Sequence, residues 1–204
     1  LAFLIVGPDF HMGKNRSGDR PYLEALGRAR AFEVREVPFL MGSVGKLSST
    51  TLRGHIERGE VVEAAEVLGR PYALAGRVGS GDGRGAGLGY PTANLEIHPE
   101  KLLPAPGIYV SENELEGSAW HGITYVGSAG TFGPGPTRVE VHLLDFSMAV
   151  ALRGRMLTTK LVFRIRPDRV FENAESLVKA MDTDLAAARA FWADGGRDLE
   201  RKGA

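Results

Sequence analysis

The sequence predicts two unlike halves: an α/β segment with a β-α-β start, then a small antiparallel β-barrel closed by a long C-terminal helix. Three observations carry this. An apolar run over residues 1–6 and an alternating run over residues 32–37 flank a helical pattern, the order of a parallel α/β unit. From Arg70 onward, Gly and Pro punctuate short alternating runs at regular intervals, as in small barrels. Past Asn173, the residues Leu177, Met181, Leu185, Ala188 and Trp192 recur at helical spacing.

The first strand, residues 1–6, is stopped by Gly7-Pro8-Asp9 and reads as a buried strand of a parallel sheet; it is too short for a signal peptide or a spanning helix. It begins without Met, so a missing N-terminal portion is expected. Asp19 is placed to cap a helix with Pro21 in its first turn and Tyr22, Leu23 and Leu26 along one face. The second strand, residues 32–37, ends at Pro38. Ser48, Ser49 and Thr50 precede a helical pattern through Ile56, and a shorter helix over residues 61–68 ends at Gly69, suited to the C′ position. Barrel strands are expected over residues 72–78, 107–110, 121–127, 138–146 and 156–165, with Asn173 capping the closing helix. The domains are therefore drawn at 1–68 and 69–193, with a polar tail over 194–204.

Composition narrows the function. Lys plus Arg and Asp plus Glu both total 25, so no basic field argues for nucleic acid or a bilayer, and an anionic ligand must be held locally. The absence of cysteine excludes disulfides, thiol nucleophiles and Cys-rich zinc sites, and makes the cytoplasm the default compartment. Five scattered histidines form no His-x3-His pair, which argues against metal catalysis through imidazole.

Glycine stands at every second position from Gly79 to Gly89, a pattern that brings main-chain N–H groups close to a bound phosphate. It is neither a P-loop nor a Gly-x-Gly-x-x-Gly fingerprint, because all the glycines fall on odd positions. It runs into Tyr90-Pro91-Thr92-Ala93-Asn94. If extended, this tail turns Thr92 and Asn94 to one side, where a hydroxyl and an amide oxygen can hold Mg²⁺ otherwise bound by water and phosphate. The same residues also suit a flexible loop followed by an Asx or ST turn.

Over residues 138–146, alternation puts Val139, Val141 and Leu143 on one face and Glu140 and His142 on the other. A carboxylate on a rigid strand beside a nucleotide can take a proton from an attacking hydroxyl, whereas the plainer reading of Glu140 is a solvated strand face. Ser48, Ser49 and Thr50 at a helix start, with Arg53 one turn in, suit an anion or an ordinary N-cap.

Together these motifs resemble the prokaryotic bifunctional riboflavin kinase/FMN adenylyltransferase family, over nearly the whole chain. Gly83-Arg84-Gly85 through Leu88-Gly89-Tyr90-Pro91-Thr92-Ala93-Asn94 is similar to the kinase module's Pro-Thr-Ala-Asn signature, and Val139-Glu140-Val141-His142-Leu143-Leu144-Asp145-Phe146 to the strand with its catalytic glutamate. Gly7-Pro8-Asp9-Phe10, with Gly13, Gly18 and Asp19, and the Ser-Ser-Thr-x-x-Arg pattern from Ser48 to Arg53 resemble the second part of the adenylyltransferase domain. That domain's His-x-Gly-His motif is absent, which leaves a truncated start or a lost activity as alternatives. The kinase half departs at Ala86, where the family has a loop arginine. It departs again over residues 125–130, which lack the family's Asn, Arg and Pro, and over residues 147–151, an apolar run in place of an acidic, glycine-bearing turn.

The resemblance implies a partial Rossmann-like nucleotidyltransferase half followed by a Greek-key riboflavin kinase barrel. It implies riboflavin, ATP and Mg²⁺ as ligands and FMN as product. Glu140 would be the base; Gly83, Arg84, Gly85, Gly89, Thr92 and Asn94 would bind ATP, with Thr92 and Asn94 on the metal. Ser48, Ser49, Thr50 and Arg53 would bind the phosphates of the adenylyltransferase site. The alternative is a flavin- or nucleotide-binding module without turnover.

Overall fold

The computed structural model describes residues 2–42, 45–81, 84–87, 89–128, 137–146 and 152–196, with Arg84 and Ala86 described in backbone only. Gly83, residues 129–136, which include the last two of the substituted residues 125–130, the apolar run 147–151 and the tail from 197 lie outside the described residues. The chain divides into two compact units, Leu1–Ser48 and Ser49–Ala204.

In the first unit, β1 (Phe3–Val6) and β2 (Glu33–Glu36) pair in parallel around α1 (Arg20–Arg30). Asp19 caps α1 as expected, accepting from the Tyr22 N–H at 3.0 Å, with Pro in the first turn. Ala31 ends it in the left-handed conformation. Two expectations fail here. β1 is buried on one face only, with Val6 buried but Phe3 and Ile5 47% and 56% exposed, and Tyr22 faces solvent. A two-stranded sheet leaves faces that one helix cannot cover, so the apolar pattern exceeds what this unit can bury. A short hairpin, β3 (Met41–Gly42) with β4 (Gly45–Lys46), completes it.

The second unit opens with α2 (Ser49–Arg58) and α3 (Val61–Leu68), the latter ended by left-handed Gly69. These helices pack on the barrel, well ahead of the boundary read at Gly69: Ile56, Val61 and Ala64 join the barrel core around Leu74, Tyr109 and Leu157. The turn between them needs glycine twice over. Gly59 has φ +76°, and a Cβ there would stand 2.7 Å from the Tyr109 hydroxyl oxygen. Arg164 donates to the Arg58 and Pro106 carbonyls at 3.0 and 2.8 Å, tying the turn to the barrel rim.

The barrel closes in the order β10-β5-β6-β9-β8-β7: β5 (Tyr72–Val78), β6 (Ala93–Ile97), β7 (Gly107–Leu115), β8 (Ser118–Gly127), β9 (Arg138–Leu143) and β10 (Met156–Pro167). β10 is 12 residues long and pairs with both β5 and β7, bending through register shifts after Leu161 and Arg164. The strand missing from the sequence reading, β6, follows the glycine-rich stretch, whose turn residues mask its short alternation. That stretch itself contains a single helical turn, α4 (Arg84–Gly87).

Asn173 caps α5 (Ala174–Ala193), accepting from the Ser176 N–H at 2.9 Å. Ala188 and Phe191 of α5 pack with Ile108, Val110 and Ile123 on the outer face of β7 and β8. The barrel interior also holds a buried hydroxyl chain, in which Thr124 joins Ser111 at 2.9 Å and Thr159 at 2.6 Å.

Candidate active site

β6 and β9 set the centre of the site. Their antiparallel register pairs Ala93 with Val141 and Asn94 with Glu140. On β9 the alternation is as expected, with Val139, Val141 and Leu143 buried and Glu140 and His142 half-buried on the other face. Just ahead of β6, the Thr92 hydroxyl donates to Glu140 Oε2 at 3.2 Å. Thr92, Asn94 and Glu140 are thus brought together from two stretches far apart in sequence.

The glycine stretch lies against this group. Gly79 N–H donates to the Asn94 carbonyl at 2.9 Å. A Cβ on Gly81 would run into the Asn94 amide, and one on Gly85 would run into the Tyr90 carbonyl and stand 3.2 Å from Thr92 Oγ1. Gly81 and Gly85 therefore serve a close approach to Asn94 and to the Tyr90 carbonyl, whereas Gly87 and Gly89 face open space. Gly89, at φ +90°, turns the chain into Tyr90. Arg84 is placed in α4 by its backbone alone.

Thr92, Glu140 and His142 line a cavity of about 70 Å³, smaller than the roughly 300–1,000 Å³ usual for small-molecule sites. Its walls are Ile108, Ile123 and Tyr125 from the barrel and Met181 and Leu185 from α5, an apolar slot with polar groups at one place. Tyr90 reaches α5 through a hydrogen bond from its hydroxyl to Asp182 Oδ1, which raises the phenol's pKa above its ordinary value. Asp184, 4% exposed, also lines the cavity; Arg166 donates to its two oxygens at 2.7 and 2.9 Å. Sequence reasoning gave no role to Tyr90, His142, Arg166 or Asp184. For His142 a signal existed, since it follows Glu140 by two on one strand and must share its face.

Among the described residues no group of three or more His, Cys, Asp and Glu side chains could hold a metal. The donors that fit a cation are instead the Thr92 hydroxyl and the Asn94 amide oxygen, both uncharged, beside the Glu140 carboxylate. Such a set suits Mg²⁺, which keeps most of its water and phosphate ligands. Ser49, Thr50 and Arg53 lie exposed on α2, while Ser48 ends the first unit, and none of them lines the cavity. No helix among the described residues is long and apolar enough to cross a membrane.

Comparison with known proteins gives the family. Residues 68–192 match the flavokinase family model, described as riboflavin kinase. The chain is 36% identical to the bifunctional riboflavin kinase/FMN adenylyltransferase of Pseudomonas fluorescens over 95% of its own length and 61% of that protein's. With the Listeria monocytogenes protein of the same description, identity is 32% over the same shares. The chain thus spans about three fifths of the length of these curated relatives. A crystal structure from Streptococcus pneumoniae, described as a macrolide-efflux protein, matches with a TM-score of 0.78 and 32% identity, covering 91% of this chain and 60% of that one.

Proposed function

The chain belongs to the riboflavin kinase family, and on that premise we propose that it transfers the γ-phosphoryl group of ATP to the ribityl 5′-hydroxyl of riboflavin, giving FMN and ADP. The observation that carries this reading is the meeting of the Thr92 hydroxyl and the Glu140 carboxylate at 3.2 Å on the wall of an apolar cavity.

Phosphoryl transfer needs positioning and charge neutralisation more than covalent help from the protein. Glu140 accepts the proton of the 5′-hydroxyl as its oxygen bonds to the γ-phosphorus and the bond to the β-γ bridging oxygen breaks. The backbone N–H groups of the glycine stretch, including Gly85 and Gly89, cradle the phosphates, and Arg84 adds positive charge. Thr92 and Asn94 would hold Mg²⁺, which would supply neutralisation of the phosphate charge. The apolar walls formed by Tyr125, Ile123, Met181 and Leu185 suit the faces of the flat isoalloxazine ring, which needs the cavity of about 70 Å³ to widen on binding.

The test is direct. Protein, riboflavin, ATP and Mg²⁺ are mixed and FMN is sought by chromatography. The competing reading, a flavin- or nucleotide-binding module without turnover, draws on the substituted residues 125–130. Riboflavin binding without FMN would select it.

We also infer that residues 1–68 derive from the second part of the family's adenylyltransferase domain. The β1-α1-β2 unit, the apolar side chains it leaves exposed and the double description of the relatives support this. In a chain that carries the whole of that domain, Ser48, Ser49, Thr50 and Arg53 would bind the phosphates of ATP during adenylylation of FMN to FAD. An assay for FAD, beside an intact mass showing about 100 further residues, the size of a small domain, tests it. A mass near 21.9 kDa rejects it for this molecule.

A further inference from the structure

We propose that His142 is a positioning residue of the phosphoryl-transfer site, holding Pro91 so that Thr92 stands against Glu140; this rests on the riboflavin kinase reading above. The β6–β9 ladder pairs Asn94 with Glu140 and Ala93 with Val141, and then stops. The next pair in that register would be Thr92 with His142. Thr92 precedes the first residue of β6, so no ladder bond fixes its height over Glu140.

The His142 side chain takes over where the ladder ends. Its Nδ1 lies 2.8 Å from the Pro91 carbonyl oxygen. A carbonyl only accepts, so Nδ1 must carry the proton, and this bond selects one neutral tautomer. Pro91 has no N–H to offer and its φ is fixed by the ring, so its carbonyl is the handle by which the segment can be held. The imidazole also meets the Tyr90 ring edge-on, with centroids 6.3 Å apart and planes at 67°. Tyr90 in turn is bonded to Asp182 of α5. His142 does not need to touch the reacting atoms to act. Release of Pro91 lets Thr92 drift from Glu140, and a misplacement of that kind costs rate without removing a reacting group.

Three variants separate this role from plain packing. His142→Phe keeps a ring and loses the donor. His142→Asn puts an amide nitrogen about where Nδ1 stands. His142→Gln puts one about where Nε2 stands. The expected result is a kcat for FMN formation lowered about 10²-fold in H142F and H142Q, with KM for riboflavin little changed. H142N should return to within about tenfold of the parent. H142F at the parent's rate overturns the proposal. So do equal rates for H142N and H142Q, a comparison that survives if H142F fails to fold. Calorimetric titration with ADP and Mg²⁺ reads the placement of Thr92 without turnover: H142N should bind as the parent does, and H142Q more weakly. A parent that makes no FMN overturns the riboflavin kinase reading, while the binding series still decides on His142; equal binding by all three variants overturns the His142 proposal.

Discussion

Thr92 and Glu140 are 48 residues apart in sequence and 3.2 Å apart between hydroxyl and carboxylate oxygens. The register of β6 on β9 makes this contact, because it sets Asn94 opposite Glu140 and leaves Thr92 two residues from Asn94 on the same face.

Replacement of Glu140 by Gln keeps size and hydrogen bonding but removes the base. FMN formation should fall by about 10²- to 10⁴-fold in kcat, the range of general-base catalysis. Affinity for ADP with Mg²⁺, measured by calorimetry, should stay close to the parent's. A variant that still makes FMN at the parent's rate takes Glu140 out of the chemistry.

Gly85→Ala tests the close approach of the glycine stretch. The new Cβ meets the Tyr90 carbonyl and Thr92 Oγ1. The backbone at Gly85 is helical, so Ala is allowed there and the cost is the contact alone. KM for ATP should rise about tenfold, equivalent to about 1.4 kcal/mol, and thermal unfolding should move down as well, because a backbone oxygen has to shift. An unchanged KM would mean that the loop can lift without consequence.

How much of this was legible beforehand differs between the halves. Strand alternation showed β9 and its Glu140 face directly, because each buried Val is followed by a half-buried polar residue. Helix caps at Asp19 and Asn173 were equally plain, since a short polar side chain before an apolar periodic run has a single local use. The Arg166–Asp184 pair was not readable: 18 residues separate a strand arginine from a helix aspartate, and no local rule links them. β6 was hidden for the opposite reason, its five residues being dominated by the glycine and proline before them. The exposure of β1 was misjudged because apolar composition reports what a strand could bury, whereas burial depends on the neighbours it has.

Arg166→Met should be among the most damaging single changes. It leaves the Asp184 carboxylate buried and unpaired, which typically costs about 3–5 kcal/mol. Thermal unfolding should shift down accordingly, and the double variant R166M/D184N should recover part of the loss. If R166M unfolds at the parent's temperature, the pair contributes nothing that water or other groups cannot supply.

Glu60 links stability of the α2–α3 turn to acid. Hydrogen bonds from Arg58 and His55 lower its pKa from 4.5 to about 2. Its folded pKa lies below the unfolded one, so the stabilisation is fully present above about pH 4.5 and is lost as pH falls toward 2. The side chain is 38% exposed, so solvent screening keeps the effect under about 1 kcal/mol. Glu60→Gln should lower the melting temperature slightly at pH 7, and the gap to the parent should close on acidification through that window. A gap that is constant with pH would assign the effect to packing.

The double pairing of β10 sets an order of assembly. Thr92 and Glu140 leave the ribosome before β10, the strand that closes the cylinder. Until β10 arrives, β5 and β7 each present an open edge, the kind of surface that recruits other chains. A nascent chain arrested before Met156 would thus carry its chemistry on an unfinished sheet, so β10 guards the barrel against association as well as fixing its shape.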